Sequence, residues 1–381
     1  MQVPRSMINI MLLGSSLNFG GAERVIAYLA KYLDRDRFSV TVCHLKEGGV
    51  VGDELVAQGI RVVGVPCDTG RLKRYLSFIR LGDIVDALGI HLIHTHTTYA
   101  LSDACLSGLL RHNGPKHVHT FHFGNYPNYP KRYRRLEFIC SRLADNLVAV
   151  GHEQNQRIRA TYRLPARRIR TIVNGVDSPE VAPDPVWQAR LMERRKIVVG
   201  SICTFIEQKG LPDLLEVAMR ICRERDDVVF VLVGDGPMRE ALVRRCIETG
   251  LADRVLFAGW MTEASSSILP LFDIFVQTSR WEAMSMVVLE AMAAAKPVVV
   301  TDVGDNRHVV LNEISGIVVS PGDTDGLRNG VCSLIDAPDK RDAFGTAGRA
   351  RFLEQFTAQV MARAYGSLYL ECLANGHADS M

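Results

Sequence analysis

The chain has 381 residues, too many for one ordinary domain and suited to two. Hydrophobic residues make up 47% and charged residues 23%, the values of a globular protein. A net charge of +3 is too small to point to nucleic acid, and nine cysteines scattered singly, with no C-x-x-C pair, read as reduced thiols of a cytosolic protein. Residues 8–14 are apolar but only strand-length, and no later apolar run reaches 18 residues. The expectation is a soluble protein, attached at most to a membrane surface.

Residues 7–14 predict a buried strand, followed by the glycine turn Phe19-Gly20-Gly21-Ala22-Glu23-Arg24 and an amphipathic helix to about Leu33. Residues 38–45 are the next strand and 53–58 a short helix, with further strands at 61–65, 92–96, 117–121 and 146–150. Strands alternating with helices predict a parallel sheet covered on both faces. The turn at Gly20 lacks the G-x-G-x-x-G spacing of a dinucleotide site, and a tight strand-to-helix turn needs glycine for its own reasons. Residues 172–177 read Ile-Val-Asn-Gly-Val-Asp, whose Asn-Gly marks a turn. Residues 178–195, with three prolines and then many charges, read as a linker.

The rhythm restarts with a strand at 196–202, then Lys209-Gly210 ahead of a helix that begins near Pro212 and Asp213. Strands follow at 228–233, 255–259, 274–277, 297–301 and 316–319, and after Arg349 a helical pattern runs to about Leu373. The densest chemistry lies at 279–297, where Glu282 and Glu290 stand with seven residues between them. Eight helical steps would leave them about 80° apart, so loop-then-helix is the better reading. Ser285 can cap, and Met286, Leu289 and Ala293 form the apolar stripe. Glu282 then sits in the loop and Glu290 in the second turn. The free N–H groups between them suit a phosphate, and the carboxylates suit sugar hydroxyls.

This E-x(7)-E stretch, with Pro-Val-Val-Val-Thr-Asp after it, the Lys209-Gly210 pair and the Asn174-Gly175-Val176-Asp177 signature, resembles the retaining glycosyltransferases of family four (glycosyl transferases group 1), which have the GT-B fold. The resemblance implies an α/β architecture of two Rossmann-like domains facing across a cleft. They would be an acceptor domain at 1–178, a nucleotide-sugar domain at 179–350, and a closing helix at 351–381 that packs back on the first domain. It implies transfer of a sugar from a UDP- or GDP-linked donor to a glycan or lipid-linked sugar acceptor, in bacterial polysaccharide, lipopolysaccharide or glycolipid assembly. By the same resemblance Glu282 meets the transferred sugar, Glu290 the ribose and Lys209 the diphosphate. Ala283, Met284, Ser285 and Met286 offer backbone to the phosphates, Gly20 and Gly21 face the donor phosphates and acceptor, and His122 lies beside the sugar. No metal is required.

Lys209 precedes a helix N-terminus, where a cation is unfavourable unless an anion shares the spot. The family's usual arginine, five residues before that lysine, is Thr204 here, and a hydroxyl cannot replace a bidentate guanidinium. Either the diphosphate is held more weakly or another base contributes, with Arg280 and Arg307 the candidates. Ala283, Ala295, Asp305 and His308 also depart from the pattern, which bears on donor specificity.

Seven of the eleven histidines fall between His91 and His122, but their spacing forms no metal-ligand set with acids or cysteines. His94 and His96 also end a strand, which the resemblance places at the cleft. Tyr126, Tyr129 and Tyr133 interleave with Lys131, Arg132, Arg134 and Arg135, a pattern that fits single-stranded nucleic acid or an anionic membrane surface. The resemblance favours peripheral contact with a membrane and no nucleic acid. Asp34-Arg35-Asp36 and Asp323-Thr324-Asp325 are D-x-D in form but fall at a loop and a helix cap. The alternatives are a non-catalytic sugar-nucleotide-binding subunit and a nucleotide-sugar epimerase on the same fold.

Overall fold

The computed structural model describes residues 7–65, 76–111, 114–178, 180–194 and 196–378. The chain divides into two compact units. One holds the residues up to Gly175 together with those from Ala358 onward, and the other is Val176–Thr357.

The first unit is built on β1 (Ile8–Gly14), β2 (Phe38–His44), β3 (Arg61–Gly64), β4 (Leu92–Thr95), β5 (Lys116–Phe121), β6 (Asn146–Ala149) and β7 (Ile169–Thr171). All pairings are parallel, in the order β3-β2-β1-β4-β5-β6-β7. The second unit repeats the plan with β8 (Ile197–Ile202), β9 (Val228–Val233), β10 (Val255–Gly259), β11 (Ile274–Gln277), β12 (Val298–Thr301) and β13 (Gly316–Val319), ordered β10-β9-β8-β11-β12-β13. Every residue of β9, Val-Val-Phe-Val-Leu-Val, is buried, as expected of a strand covered by helices on both faces. In each sheet the order reverses beside the first strand, between β1 and β4 and between β8 and β11. Open α/β sheets bind ligands beyond the strand C-termini at such a reversal.

Three expectations need correction. β7 reads as nothing in the sequence, because Ile169-Arg170-Thr171 is short and carries an arginine. Part of the stretch read as a linker is a helix, Pro185–Arg194, started by Asp184, whose Oδ1 accepts from the Val186 and Trp187 amides at 3.0 and 2.9 Å. The helical pattern after Arg349 is the end of one helix, Pro338–Gln355, and the whole of another, Ala358–Ala378. Between them the chain is held by the Val176 amide, which donates to Phe356 O at 3.0 Å.

The helix Ala358–Ala378 lies in the first unit, against Gly21–Tyr32. Its buried tyrosines fasten it to the sheet. Tyr369 Oη is 2.6 Å from His94 Nδ1, and Tyr365 Oη is 3.0 Å from Thr120 Oγ1, which also meets His94 Nε2 at 2.7 Å. β4 and β5 thus carry buried histidines that are spent on hydrogen bonds. Thr95 Oγ1 lies 3.0 Å from His117 Nε2 and 2.9 Å from His119 Nδ1. Burial pushes His94, His96 and His119 well below the ordinary imidazole range, and pushes His117 down to about 4 against the opposing pull of Asp145.

These rings fold in the neutral form but take up protons in the unfolded chain below about pH 6.5. Their contribution to stability is therefore complete above that pH and is lost as pH falls toward 4, the value for His117. Each histidine that stays neutral through this window costs about 1.4 kcal/mol of stability per pH unit. Urea midpoints at pH 7.5, 6.5, 5.5 and 4.5 should fall steeply below about pH 6.5. A flat profile would show that these rings are not held neutral.

Candidate active site

In the second unit, the turns that follow β8 and β11 meet at the reversal of strand order. The turn after β8 ends in Glu207-Gln208-Lys209, with Gly210 in the left-handed region at φ 61° ahead of the helix Leu211–Glu224. A Cβ at Gly210 would lie 2.0 Å from Thr278 O, so glycine is required both for its conformation and for this approach. The two turns are then stitched together. Thr278 Oγ1 donates to Lys209 O at 2.9 Å, and the Arg280 amide donates to Gln208 O at 2.7 Å.

The stitching brings Lys209 onto Glu282. Lys209 Nζ is 2.5 Å from Glu282 Oε1, and the side chains are 20% and 9% exposed. The same Oε1 accepts from Ser279 Oγ at 2.7 Å, while among the described residues Oε2 meets only the Gln208 amide, at 3.5 Å. Glu282 is thus anchored through one oxygen and leaves the other lightly engaged. The anion that a lysine ahead of a helix N-terminus demands is supplied by the chain itself.

Beyond Glu282, Ala283, Met284 and Ser285 are buried and lead into the helix Met286–Ala293. Ser285 stands at the N-cap position, but its side chain does not cap. It accepts from Gln277 Nε2 at 2.5 Å instead. Gln277 in turn accepts from Asn306 Nδ2 at 3.0 Å, and Asn306 also donates to Thr301 O at 2.8 Å. This buried relay holds the loop from below. Met286 and Glu290 are half-buried, with Glu290 in the second turn as expected. Ala295, where glycine is usual, adopts φ 54°, a conformation that costs an alanine about 1–2 kcal/mol. The amide of buried Asp305, another departure, donates to Ala283 O at 3.2 Å, so it bears directly on this loop.

Thr204 is exposed. Arg307 is paired with Asp302, and Arg280 lies 3.9 Å from Glu207 and 3.8 Å from Asp213. Arg280 is thus the more loosely held of the two candidate replacements for the usual arginine. The D-x-D pairs have local duties. Asp34 Oδ1 accepts from the Asp36 amide at 3.0 Å, Asp323 caps the helix Thr324–Ile335, and Asp325 pairs with Arg220 at 2.6 Å.

The other sequence-derived candidates belong to the first unit. Gly21 opens the helix Gly21–Tyr32, and a Cβ at Gly20 would lie 2.3 Å from Glu23 Oε2. Glu23 therefore folds back over the helix start, and its flexible carboxylate can swing aside for a larger residue at position 20. His122, half-buried just past β5, has Nε2 at 3.1 Å from His96 Nδ1, and burial pushes its pKa down to about 4.

The aromatic and basic segment is not a continuous exposed stripe. Tyr126 and Tyr162 donate to Glu137 Oε2, each at 2.6 Å, and Thr98 donates to Oε1 at 2.7 Å. Burial raises the Glu137 pKa although those three hydroxyls oppose the shift. Tyr129 stacks between Phe123 and Tyr133 at 4.2 and 5.3 Å. The exposed face of the helix Lys131–Cys140 instead carries Lys131, Arg132 and Arg135 beside exposed Phe138 and Ile139. A pocket of about 400 Å³ opens there, lined by Arg134, Arg135, Phe138, Ile139, Thr161 and Tyr162.

Gln208, Gln277, Thr301 and Asn306 were not singled out from sequence. The signal for Gln277 was there, a polar residue closing an apolar strand. Asn306 is recognisable only once β11 and β12 are side by side.

Comparison with known proteins gives the family. Residues 19–179 match the profile of glycosyltransferase family 4, and residues 187–351 match that of the glycosyl transferases group 1. The chain is 27% identical over 254 residues to an uncharacterized glycosyltransferase of Methanocaldococcus jannaschii, covering 65% of each chain. It is 26% identical over 337 residues to the Escherichia coli UDP-Gal:alpha-D-GlcNAc-diphosphoundecaprenol alpha-1,3-galactosyltransferase, covering 83% of this chain and 85% of that one. Against the alpha-D-kanosaminyltransferase of Streptomyces kanamyceticus it is 31% identical over 210 residues, spanning about half of each, 53% and 54%. Among solved structures, Anabaena HepE in complex with UDP superposes with a TM-score of 0.83 at 21% identity, over 96% of this chain and all of that one. The fold is GT-B, the two profiles together take in all but the ends and a short connection, and the chain belongs to the family 4, group 1 glycosyltransferases.

Proposed function

We propose that this protein moves a sugar from a nucleoside diphosphate to an acceptor hydroxyl with retention at the anomeric carbon. The observation that carries the reading is Glu282, whose Oε1 is held by Lys209 and Ser279 while Oε2 is left to meet a hydroxyl. The acceptor oxygen bonds to the anomeric carbon on the face from which the diphosphate departs. The bond from that carbon to the phosphate oxygen breaks, and the acceptor proton passes to the leaving diphosphate. Negative charge grows on that group, and Lys209 with the N–H groups at the start of Met286–Ala293 stabilises it. Glu290 holds the ribose hydroxyls, Thr204 lies at the donor without supplying charge, and Gly20 and Gly21 offer the first unit's helix start. His122 hydrogen-bonds a sugar hydroxyl. No metal is needed on this reading.

The donor is UDP- or GDP-linked, and the acceptor a glycan or lipid-linked sugar in bacterial polysaccharide, lipopolysaccharide or glycolipid assembly. The E. coli galactosyltransferase among its relatives has a name that specifies UDP-Gal and a diphosphoundecaprenol-linked sugar, which supports this choice of classes. Among the described residues no helix is long and apolar enough to cross a membrane. The exposed basic and apolar face of Lys131–Cys140 supports peripheral contact with an anionic cytoplasmic membrane surface instead.

Acceptor-dependent release of free nucleotide tests the whole reading, since neither an epimerase nor a binding subunit would show it. In that assay Lys209→Ala should lower kcat by about 10²–10³-fold, because the lost charge acts mainly in the transition state. Thr204→Arg should be neutral or tighten the donor, and activity should survive EDTA. Near-normal kcat in Lys209→Ala would move the charge elsewhere, with Arg280 next to test. Thermal melting run alongside separates this loss from the cost of leaving Glu282 without its cation.

Calorimetry isolates Glu290. Truncating a carboxylate that pairs with ribose hydroxyls costs roughly 1–3 kcal/mol, so Glu290→Ala should weaken nucleotide binding about tenfold or more. Unchanged affinity would remove Glu290 from the site.

Vesicle co-sedimentation addresses the membrane. The protein should pellet with phosphatidylglycerol-containing vesicles and not with phosphatidylcholine alone, and Arg135→Glu combined with Ile139→Asp should release it. Equal binding of the double variant would place the contact elsewhere.

A further inference from the structure

We infer that His96 is a positioning residue that decides which nitrogen of His122 carries the proton, so that His122 presents an Nδ1–H donor to its ligand. The role given to that donor rests on the sugar contact proposed above, whereas the proton assignment rests on geometry alone.

His96 Nδ1 and His122 Nε2 are 3.1 Å apart, and the ring planes differ by 24° with centroids 5.3 Å apart. That centroid separation is close to the nitrogen–nitrogen distance plus two ring radii, so the nitrogens face each other nearly in the ring planes. This is the geometry of a hydrogen bond and not of face-to-face stacking. Burial keeps both rings neutral near pH 7, so each has one N–H and one bare nitrogen.

Two arrangements satisfy the bond. Either His96 donates from Nδ1, or His122 donates from Nε2. The remaining nitrogen of His96 decides between them, because His96 Nε2 is buried and has no hydrogen-bond partner among the described residues. If His122 were the donor, that orphan would be an N–H, the group proteins most consistently avoid burying unpaired. If His96 is the donor, the orphan is only a lone pair. His96 therefore donates, and His122 holds its own proton on Nδ1. The His96 ring is kept in place by the neighbouring His94 ring at 4.0 Å, itself locked by Tyr369 and Thr120.

A His122 arranged in this way gives a neutral hydrogen bond to an acceptor oxygen, as a sugar hydroxyl provides. It is a poor proton acceptor, because its basic nitrogen is already taken. His122 thus binds and orients, and the acceptor proton is left to the diphosphate, in keeping with the retaining route.

The test is long-range ¹H–¹⁵N correlation on the full chain labelled with ¹⁵N-histidine at pH 7, with the His122 signals assigned by their loss in His122→Gln. The expected result is an Nδ1-protonated His122 that changes toward the Nε2-protonated form in His96→Ala. An Nε2-protonated His122 in the unaltered protein would overturn the inference, and that spectrum decides the matter even where His96→Ala fails to fold. Kinetics provide the second readout. His96→Ala should lower kcat/KM about tenfold, and His96→Gln, which keeps an N–H donor, should restore part of it. Full activity in His122→Gln would end the sugar contact while leaving the proton assignment to stand on its spectrum.

Discussion

The contact that shapes the second unit's candidate site is the pair between Lys209 and Glu282, 2.5 Å apart and largely out of solvent. Neither residue could occupy its place alone. A lysine ahead of a helix start opposes the helix dipole, and a carboxylate this buried needs a counter-charge. Together they close the gap between the strands on either side of the sheet's reversal. Gly210, Thr278 and Ser279 exist in their present form to make that closure possible. Because the pair is satisfied internally, Lys209 and Glu282 hold each other in a fixed arrangement.

The first unit solves a different problem. Its central strands carry polar rings where a parallel sheet usually carries valine or isoleucine. They are tolerated because threonine and tyrosine hydroxyls meet their nitrogens, so a neutral network replaces apolar packing. His122 stands at the edge of this network, the half-buried end of a set of rings whose members are otherwise closed to solvent.

Much of this was legible in the residues. The strands were readable because buried parallel strands are continuous apolar runs, and 228–233 and 274–277 coincide with β9 and β11. The loop-then-helix placement of Glu282 and Glu290 followed from spacing and from the proline beyond. What stayed hidden depends on neighbours distant in sequence. Ser285 looks like a cap, but Gln277 claims its hydroxyl. Tyr126 looks like part of a surface stripe, yet Glu137 and Tyr162 draw it into the core. The helix Pro185–Arg194 was missed because prolines were read as breakers, although proline at a helix start behind aspartate is a beginning.

The helix Ala358–Ala378 belongs to a unit whose remaining body runs up to Gly175. During synthesis, then, the first sheet emerges from the ribosome well before Tyr365 and Tyr369. Until those tyrosines follow, His94 and Thr120 lack the hydroxyls that satisfy them in the finished protein. The second unit, continuous in sequence, can complete its own core in that interval. The second unit's sequence is therefore complete before the first unit's, and the first unit relies on its last-made segment to satisfy polar groups laid down much earlier.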